Sequence, residues 1–348
     1  MSKSSSAKSK KLSSVTIDQV AKTAGVSRAT VSRVLNGTAK VSPELLKSVH
    51  KAIAKYNYVP SAAARRLAGG RSGLVVLLLE ETNEEFFLNP FWGQVVQGFS
   101  SAITEAGMYP ILLIHPKSAN EESLFATLRA SKVDGIAIFS WHRPLKSLEK
   151  VLDSDVAVVF GGDLGGSNKY PYVDVNNVKG GQIATQHLID AGCKRIVTIT
   201  GDLRLQSGRD RLEGYEKAII KSGMKLDDNL VLHGDYTQSK AEELTRYLIK
   251  KKIKFDGIFA ANDQSAVGVI NILLQNGISV PGKVKVIGFD DSPIAARNEP
   301  AISTVRQPIR DLGSEVAFSL LEILQGKPSE NKLIDVKLIK RTSTSVRN

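Results

Sequence analysis

Residues 16–36 read TIDQVAKTAGVSRATVSRVLN, two short amphipathic segments separated by a glycine. Thr16 and Ser27 stand where a helix N-cap needs a side-chain oxygen. Ala21 is small enough for two helices to cross closely, and Gly25 tolerates the positive φ of a tight turn between them. The pattern therefore predicts two helices joined by a short turn, as in a helix-turn-helix.

The N-terminal end of the second predicted helix carries polar and basic side chains on its outward face. In a helix-turn-helix this end enters the major groove of DNA. Arg28 and Arg33 can donate to guanine edges or to phosphates, and Ala29 can touch a thymine methyl group. Hydroxyl side chains that can donate to phosphates and fix the register are Thr16, Ser27 and Ser32. An ordinary three-helix bundle with a charged face is the alternative interpretation of the same spacing.

C-terminal to this motif the sequence predicts a third helix followed by a linker. Asn36 and Gly37 form a turn pair, and Ser42 with Pro43 supplies a cap and a first helical residue. The predicted apolar face of the third helix comprises Leu45, Leu46, Val49, Ile53 and Tyr56. Residues 61–71 are Ala-rich and basic, and we interpret them as a hinge that is too short to be a stable helix in water by itself.

The charge of the chain is unevenly distributed. Residues 1–71 hold 14 Lys/Arg and 2 Asp/Glu, whereas the remaining residues hold 33 of each kind. A concentrated positive charge attracts a polyanion, which leaves DNA, RNA and an anionic membrane surface as partners. A solubilising tail is the alternative. It fits residues 1–14, which are Ser/Lys-rich and predicted to be disordered, but it does not explain the basic residues of the predicted helical domain at 15–60.

From Gly73 onward, apolar runs of strand length alternate with amphipathic helical segments. This alternation predicts a parallel sheet covered by helices. The predicted strands are 74–79, 110–114, 135–139, 156–160, 196–200, 257–260 and 284–289. The predicted helices between them include 91–106, 177–191, 209–221 and 263–276.

The core, residues 72–348, is long for one doubly wound sheet. The segment KVDGI at 132–136 is echoed by KFDGI at 254–258, although an echo this short can arise by chance. We therefore predict an α/β core of two doubly wound parallel-sheet lobes with a cleft between them. The predicted N-lobe spans about 73–175 and 309–336, and the predicted C-lobe spans about 176–305 and 337–345.

The sequence lacks the signatures of several protein classes. No apolar run reaches the roughly 18 residues of a membrane span, and no apolar stretch follows the basic start as in a secretory signal. Cys193 is the only cysteine, so no internal disulfide is possible. No hydrolase elbow, P-loop or dinucleotide motif is present, and the five histidines lack metal-ligand spacing. We expect a cytoplasmic, nucleoid-associated protein that is not an enzyme and has no catalytic residue, cofactor, metal or membrane partner.

A series of motifs in order along the chain carries a family resemblance. The headpiece stretch TIDQVAKTAGVSRATVSRVLNG is followed by VSPELLKSVHKAIAKYNYVPSAAARRLAGGRS. Later come NPFWGQVVQGF, KVDGIAIF, GRDRLEGY, FDGIFAANDQSAVGV, VIGFDDSP, ISTVRQPIRDLG and LIKRTST. Together these segments resemble the LacI/GalR family of repressors, and the resemblance covers residues 15 to 344.

The resemblance implies a homodimer that binds double-stranded, pseudo-palindromic operator DNA. Base choice would be set at Arg28 and Ala29, with Arg33 beside them. Leu67 matches the hinge leucine that wedges into the minor groove and kinks the duplex, although a simple packing contact is the alternative. The candidate DNA-contacting residues are Thr16, Ser27, Arg28, Ala29, Thr30, Ser32, Arg33, Asn36, Tyr58, Ala64 and Leu67. The sequence shows no heptad helix after Val346, so a dimer is expected rather than a tetramer.

The resemblance also implies a small-molecule effector in a cleft like that of periplasmic sugar-binding proteins. The matching polar positions are Arg211, Asn262, Asp290 and Gln307, which suit the vicinal hydroxyls of a sugar. The aromatic wall candidates are Phe91, Trp92, Trp141 and Tyr236, with His142 beside Trp141 as a further candidate. A structural ion pair between Arg211 and Asp290, and a core role for the aromatic residues, are the alternatives.

The expected function is that of a sequence-specific repressor of carbohydrate-metabolism genes whose operator affinity is controlled allosterically by a sugar. Leu205 stands where the purine-sensing branch of the family has a basic residue, which disfavours a purine. A corepressor-dependent relative that senses a nucleobase or a sugar phosphate is the alternative. A transporter's solute-binding protein is a further alternative from outside the family.

Overall fold

The chain separates into two compact units, with the division between Ser72 and Gly73. The structure is a computed structural model, and it describes residues 15–35, 41–56, 58, 71–116, 118–142, 156–166 and 170–345. The predicted tail at 1–14, the Asn36–Gly37 turn and most of the hinge, including Ala64 and Leu67, lie outside the described residues.

The described part of the first unit contains three helices, as predicted: α1 (Ile17–Ala24), α2 (Arg28–Leu35) and α3 (Pro43–Tyr56). Thr16 and Gln19 form a capping box at the start of α1, and Gly25 ends that helix with a φ of 69°. The Ser27 hydroxyl accepts a hydrogen bond from the Thr30 amide at 3.1 Å. The cap and turn residues of the quoted motif therefore act as the sequence predicts.

The first unit has a small hydrophobic core. Its buried side chains are Val20, Ala21, Val31, Val49, Ala52 and Tyr58. The prediction that Leu45 and Leu46 belong to the inner face of α3 is wrong, because they are 39% and 38% exposed. The Ser48 hydroxyl donates to the Ala24 carbonyl at 3.0 Å. The face of α3 that meets α1 therefore begins one turn later than the apolar pattern indicates.

In the residues that the structure describes, the strands of the second unit form two six-stranded sheets, one in each lobe. The strands are β1 (Leu74–Leu79), β2 (Tyr109–Ile114), β3 (Gly135–Phe139), β4 (Ala157–Gly161), β5 (Tyr172–Val175), β6 (Ile196–Ile199), β7 (Val231–Leu232), β8 (Gly257–Ala260), β9 (Lys285–Asp290), β10 (Ser303–Arg306), β11 (Lys332–Ile334) and β12 (Lys337–Ile339). The N-lobe sheet has the order β11-β5-β4-β3-β1-β2, and the C-lobe sheet has the order β12-β10-β9-β8-β6-β7. All described pairings are parallel except that of β10 with β12.

Helices cover both sheets, which confirms the predicted fold class of a helical headpiece and two parallel-sheet lobes. They are α4 (Asn83–Leu88), α5 (Pro90–Glu105), α6 (Glu121–Ser131), α7 (Asn177–Asp190), α8 (Gln206–Lys221), α9 (Gln238–Lys250), α10 (Asp263–Gln275), α11 (Pro293–Arg297) and α12 (Ile309–Leu324). The chain passes between the lobes after β5, after β10 and between β11 and β12. None of the helices in the described ranges is long and apolar enough to cross a membrane.

One pair of helices in each lobe is packed through glycines. A Cβ atom on Gly98 of α5 would lie 1.9 Å from the Arg310 carbonyl of α12, and one on Gly313 would lie 2.3 Å from the Val95 carbonyl. In the C-lobe, Gly181 of α7 and Gly214 of α8 make the same kind of backbone approach. The repeated arrangement agrees with the internal echo in the sequence.

Gly98→Ala is expected to destabilise the N-lobe by about 1–3 kcal/mol, because the new methyl group must displace the backbone of α12. Gly93→Ala in the same helix is the matched control, since a Cβ there meets nothing within 4 Å and alanine favours a helix interior. Urea unfolding followed by tryptophan fluorescence measures both. Equal stability of the two variants would contradict the close packing of α5 on α12.

Candidate functional site

A cavity of about 1090 Å³ lies between the two lobes of the second unit. All eight predicted effector residues line it, namely Phe91, Trp92, Trp141, Arg211, Tyr236, Asn262, Asp290 and Gln307. The amide of Gln264 in the C-lobe donates to the Leu88 carbonyl of the N-lobe at 2.6 Å, and both residues also line the cavity. The cleft is therefore closed at this point by a direct contact between the lobes.

Arg211 on α8 is held rigidly at the cavity wall. Its guanidinium donates to the Asn177 side-chain oxygen at 2.9 Å and to the Ala261 carbonyl at 2.5 Å. It also stacks on Phe289, with its central carbon 3.7 Å from the ring centroid. The nearest Asp290 oxygen is 3.9 Å from Nη1, which is too long for a hydrogen bond. A tight ion pair of Arg211 with Asp290 therefore does not form in this state.

Asp290 ends strand β9 with a φ of 111°, a conformation that L-residues rarely adopt. Its carboxylate is buried and accepts a hydrogen bond from the Gln307 amide at 2.5 Å. Burial raises the pKa of Asp290 to about 6, against the opposing effects of Arg211 and Gln307. Backbone strain of this kind persists only where the surrounding structure enforces it, and it is common at ligand sites.

Asn262 is the N-cap of α10 and connects that helix to the cavity wall. Its side-chain oxygen accepts from the Ser265 amide at 2.9 Å, and its amide donates to the Tyr236 carbonyl at 2.9 Å. The Tyr236 hydroxyl in turn lies 2.9 Å from the Ser207 hydroxyl. The side-chain oxygen of Asn262 can accept one more hydrogen bond, and its NH2 group can donate one more. The residue can therefore both hold the wall and contact a ligand.

The aromatic candidates divide into two kinds. Phe91 and Tyr236 are half-buried at the wall, where a ring face is available to a ligand. Trp92 and Trp141 are each only 5% exposed and pack within the apolar clusters of the N-lobe. The two tryptophans therefore support the wall as core residues while they border the cavity.

Several cavity residues were not among the predicted site residues. Asp174 in β5 accepts from the amides of Val175 and Asp163, and burial raises the pKa of Asp174 to about 6. Asp202 and Arg204 follow β6 and line the same cavity. The signal that could have identified Asp163 and Asp202 is their position directly after predicted strands, where ligands of parallel sheets bind.

The exposed face of α2 presents most of the predicted DNA-contacting side chains. Ser27, Arg28, Ala29 and Arg33 are exposed, whereas Thr30 and Ser32 are half-buried. Thr16 is exposed at the start of α1. Tyr58 is only 8% exposed and packs in the headpiece core, which favours a packing role over a DNA contact. The candidate Asn36 lies outside the described residues.

Comparisons with known proteins agree with this architecture. Residues 16–61 match the model for bacterial regulatory proteins of the lacI family, and residues 185–344 match a periplasmic binding protein-like domain. The transcriptional regulator CelR of Thermobifida fusca is 36% identical over 95% of this chain and 97% of its own length. The ribose operon repressor of Escherichia coli is 32% identical over 88% of this chain and 92% of its own.

Two of the similar solved structures illustrate matches that cover nearly the whole chain. A complex of CelR with cellobiose has a TM-score of 0.74 at 35% identity and covers 94% of this chain and 99% of its own. The lac repressor dimer bound to its operator has a TM-score of 0.81 at 26% identity, with 95% and 99% covered. Both similarities include the helical headpiece as well as the two lobes.

Two of the buried carboxyls, Asp174 and Asp290, predict a pH-dependent stability. Asp174 and Asp290 bind protons in the folded chain at a pH where the unfolded chain has released them. Their stabilising contribution is complete below about pH 4 and is lost as the pH rises through about 6. The free energy of unfolding in the Asp174→Asn variant should therefore fall less steeply over this range.

Urea unfolding of the full chain between pH 4 and 7 measures this slope. Asp335→Asn is the control, because Asp335 is an exposed carboxyl whose pKa is lowered by Lys179. That variant should keep the decline with rising pH. An undiminished decline in Asp174→Asn would show that Asp174 does not hold a proton in the folded state.

Proposed function

The chain belongs to the lacI family of bacterial regulatory proteins, and on this basis we propose that it represses carbohydrate-metabolism genes and is released from its operator by a saccharide bound in the cleft. The observation that carries the proposal is the joint presence of an exposed basic helix face and a closed polar cleft. Its relatives are regulators rather than enzymes, in agreement with a binding role for the cleft.

The headpiece supplies the DNA-binding half of the proposal. Arg28 and Arg33 lie about 1.4 turns apart on α2, and both side chains are exposed. Residues 1–71 carry the whole excess positive charge of the chain, which provides the sequence-independent attraction to phosphates. Base choice would then come from Arg28 and Ala29 in the major groove.

The cleft supplies the ligand-binding half. Its wall offers a guanidinium, two amides and a carboxylate, which together can donate to and accept from the adjacent hydroxyls of a sugar ring. The bound cellobiose in the CelR complex supports a saccharide for this chain. Leu205 lines the cavity, so no basic side chain stands at the position expected to read a purine.

Exposed apolar residues in both lobes support a homodimer. Tyr109, Ile111 and Leu112 are 69%, 37% and 40% exposed on the edge strand β2 of the N-lobe. In the C-lobe, Tyr247 of α9 and Leu274 of α10 are nearly half exposed on two helices that pack together. Dimerisation would remove these side chains from water and present two headpieces to a pseudo-palindromic site.

The proposed regulation couples the cleft to DNA through the arrangement of the lobes. Three chain crossings connect the lobes, and a ligand that touches both lobes would stabilise the closed form. A ligand shifts operator affinity only through its different affinities for the two forms. Leu67 and the hinge at 61–71 remain the proposed elements that respond on the DNA.

Arg28→Ala should weaken binding at particular base positions by roughly 1–3 kcal/mol, because a bidentate contact to a base edge is lost. Fluorescence anisotropy with a selected duplex and its single-base variants measures this effect. Lys22→Ala removes an exposed positive charge from α1 and should lower the affinity for all duplexes by the same factor. A uniform loss for Arg28→Ala would instead identify Arg28 as a phosphate contact.

Asp290→Asn should abolish the rise in melting temperature that a saccharide produces, because the carboxylate that orients the ring is lost, while the ligand-free protein still unfolds cooperatively. Thermal unfolding with monosaccharides, disaccharides and nucleobases tests this, with the exposed Asp335→Asn as control. Stabilisation by a nucleobase alone would replace the saccharide with a different effector class. An unchanged response in Asp290→Asn would place the site elsewhere.

A further inference from the structure

The C-lobe carries a concentration of positive charge that neither the headpiece nor the cleft uses. The sequence reads KKKIK at 250–254, where α9 ends and the chain turns towards β8. Three more segments with lysines, 194–195, 225–228 and 283–285, also precede strands of the C-lobe sheet. These three segments and residues 250–256 together form the basic edge.

The topology of the sheet brings the four segments together. They lead into β6, β7, β8 and β9, which lie side by side in the order β9-β8-β6-β7. The opposite ends of β6, β8 and β9 lead to the cavity residues Asp202, Asn262 and Asp290. The basic edge therefore lies at the other end of the strands from the cleft, and a partner bound there would be distinct from the effector.

Hydrogen bonds connect three of the segments directly. The Asp256 carboxylate accepts from the backbone amides of Lys194 and Arg195, each at 2.8 Å. The Arg195 guanidinium donates to the Lys254 carbonyl at 2.8 Å and to the Asp227 carboxylate at 3.2 Å. Two of the three carboxylates of the basic edge are thus already engaged within it.

The basic edge concentrates the positive charge of an otherwise acidic core. Its segments hold nine Lys/Arg and three Asp/Glu, whereas the rest of residues 72–348 holds 24 and 30. Seven of its eight lysines are exposed, and Lys285 is half-buried. None of the eight forms an ion pair with any residue in the described ranges. Such a cluster of unpaired cations attracts a polyanion.

Lys252 occupies a backbone position that favours glycine. It is the first residue after the C-cap of α9 and has a φ of 54°. The other long helices of the C-lobe, α7, α8 and α10, have Gly192, Gly223 and Gly277 at this position. A lysine in the left-handed region costs stability, and strain of this kind is common at functional sites.

The side chains of the basic edge favour duplex DNA over other polyanions. Eight of its nine cations are lysines, which contact phosphates as point charges, whereas paired hydrogen bonds to a phosphorylated side chain favour arginine. Its one aromatic residue, Phe255, packs against the C-lobe core, so the edge offers no exposed ring on which unpaired bases could stack. None of the exposed large apolar side chains belongs to its four segments, so it has no anchor for a membrane.

We propose that the basic edge binds a second duplex through its phosphates, so that a molecule bound to DNA by its headpiece also holds another DNA segment. Four adjacent strands span about 14 Å at roughly 4.8 Å per interval. B-form DNA carries about eight charges over that length. Contacts to phosphates alone require no particular base sequence, and their strength falls steeply as the salt concentration rises. This inference goes beyond the proposed function, which places DNA at the headpiece only.

A capture experiment with the full chain tests the inference. The protein is held on beads through a duplex selected for the headpiece, and a labelled duplex of unrelated sequence is added at moderate salt. The unmodified protein should retain the labelled duplex. The combined variant Lys250→Gln, Lys251→Gln, Lys252→Gln and Lys254→Gln should retain about tenfold less, and the slope of log affinity against log salt should fall by about one for each lost phosphate contact.

Lys252→Gly separates binding from folding, because glycine adopts a positive φ more readily than lysine does. Its melting temperature should be unchanged or higher, while it retains less of the labelled duplex than the unmodified protein. The matched control combines Lys179→Gln, Lys217→Gln, Lys240→Gln and Lys332→Gln, four surface lysines that are already paired with carboxylates. The control should retain the labelled duplex as the unmodified protein does.

Two results would overturn the inference while the headpiece still binds its selected duplex. The first is the absence of retention by the unmodified protein. The second is equal retention by the combined variant, since the labelled duplex would then be held by headpieces of associated molecules. Competition with poly-glutamate and with vesicles of equal parts phosphatidylcholine and phosphatidylglycerol completes the test. Stronger binding of either competitor than of the labelled duplex would assign the basic edge to a different polyanion.

Discussion

The buried guanidinium of Arg211 is the interaction on which the cleft depends. It ties the start of α7 through Asn177, the end of β8 through Ala261 and the ring of Phe289 in β9 into one rigid wall. Asp290 thereby lies beside a positive charge but makes no hydrogen bond to it, since the two groups are 3.9 Å apart. Loss of Arg211 would leave buried acceptors unpaired, which costs more than the loss of an exposed ion pair.

The same wall connects packing with function. The Arg211 backbone lies against Gly181 so closely that a Cβ there would be 2.3 Å from its carbonyl oxygen. Helix α8 can therefore hold Arg211 in place only while α7 carries a glycine at this point. The equivalent contact of Gly98 with Arg310 in the N-lobe shows that both lobes use a glycine to bring two helices into backbone contact. The lobes then differ in chemistry, with most fixed polar groups in the C-lobe.

The sequence predicts the parts of this structure that depend on local patterns. Strand β1 has the predicted bounds because Leu74–Leu79 is uniformly apolar, and Thr16, Gly25 and Ser27 act as caps and a turn because capping is a local interaction. Strand β5, which holds Asp174, was not predicted, since it is four residues long and contains a carboxylate. Family resemblance gave the positions of Arg211 and Asp290, but no pattern in the sequence brings His142 to Asp202. That approach depends on how the two lobes close.

The headpiece and the cleft are joined by one proposed effect, namely that a saccharide in the cleft changes the affinity of the headpiece for DNA. The most direct measurement is the affinity of the full chain for a duplex selected from random sequence, at moderate salt, with and without the saccharide that binds most tightly. We expect a clear preference for one duplex and a loss of affinity of about 5-fold to 150-fold with the saccharide, the usual range of allosteric coupling. An affinity that is the same with and without ligand, or no preference for any duplex, would contradict it.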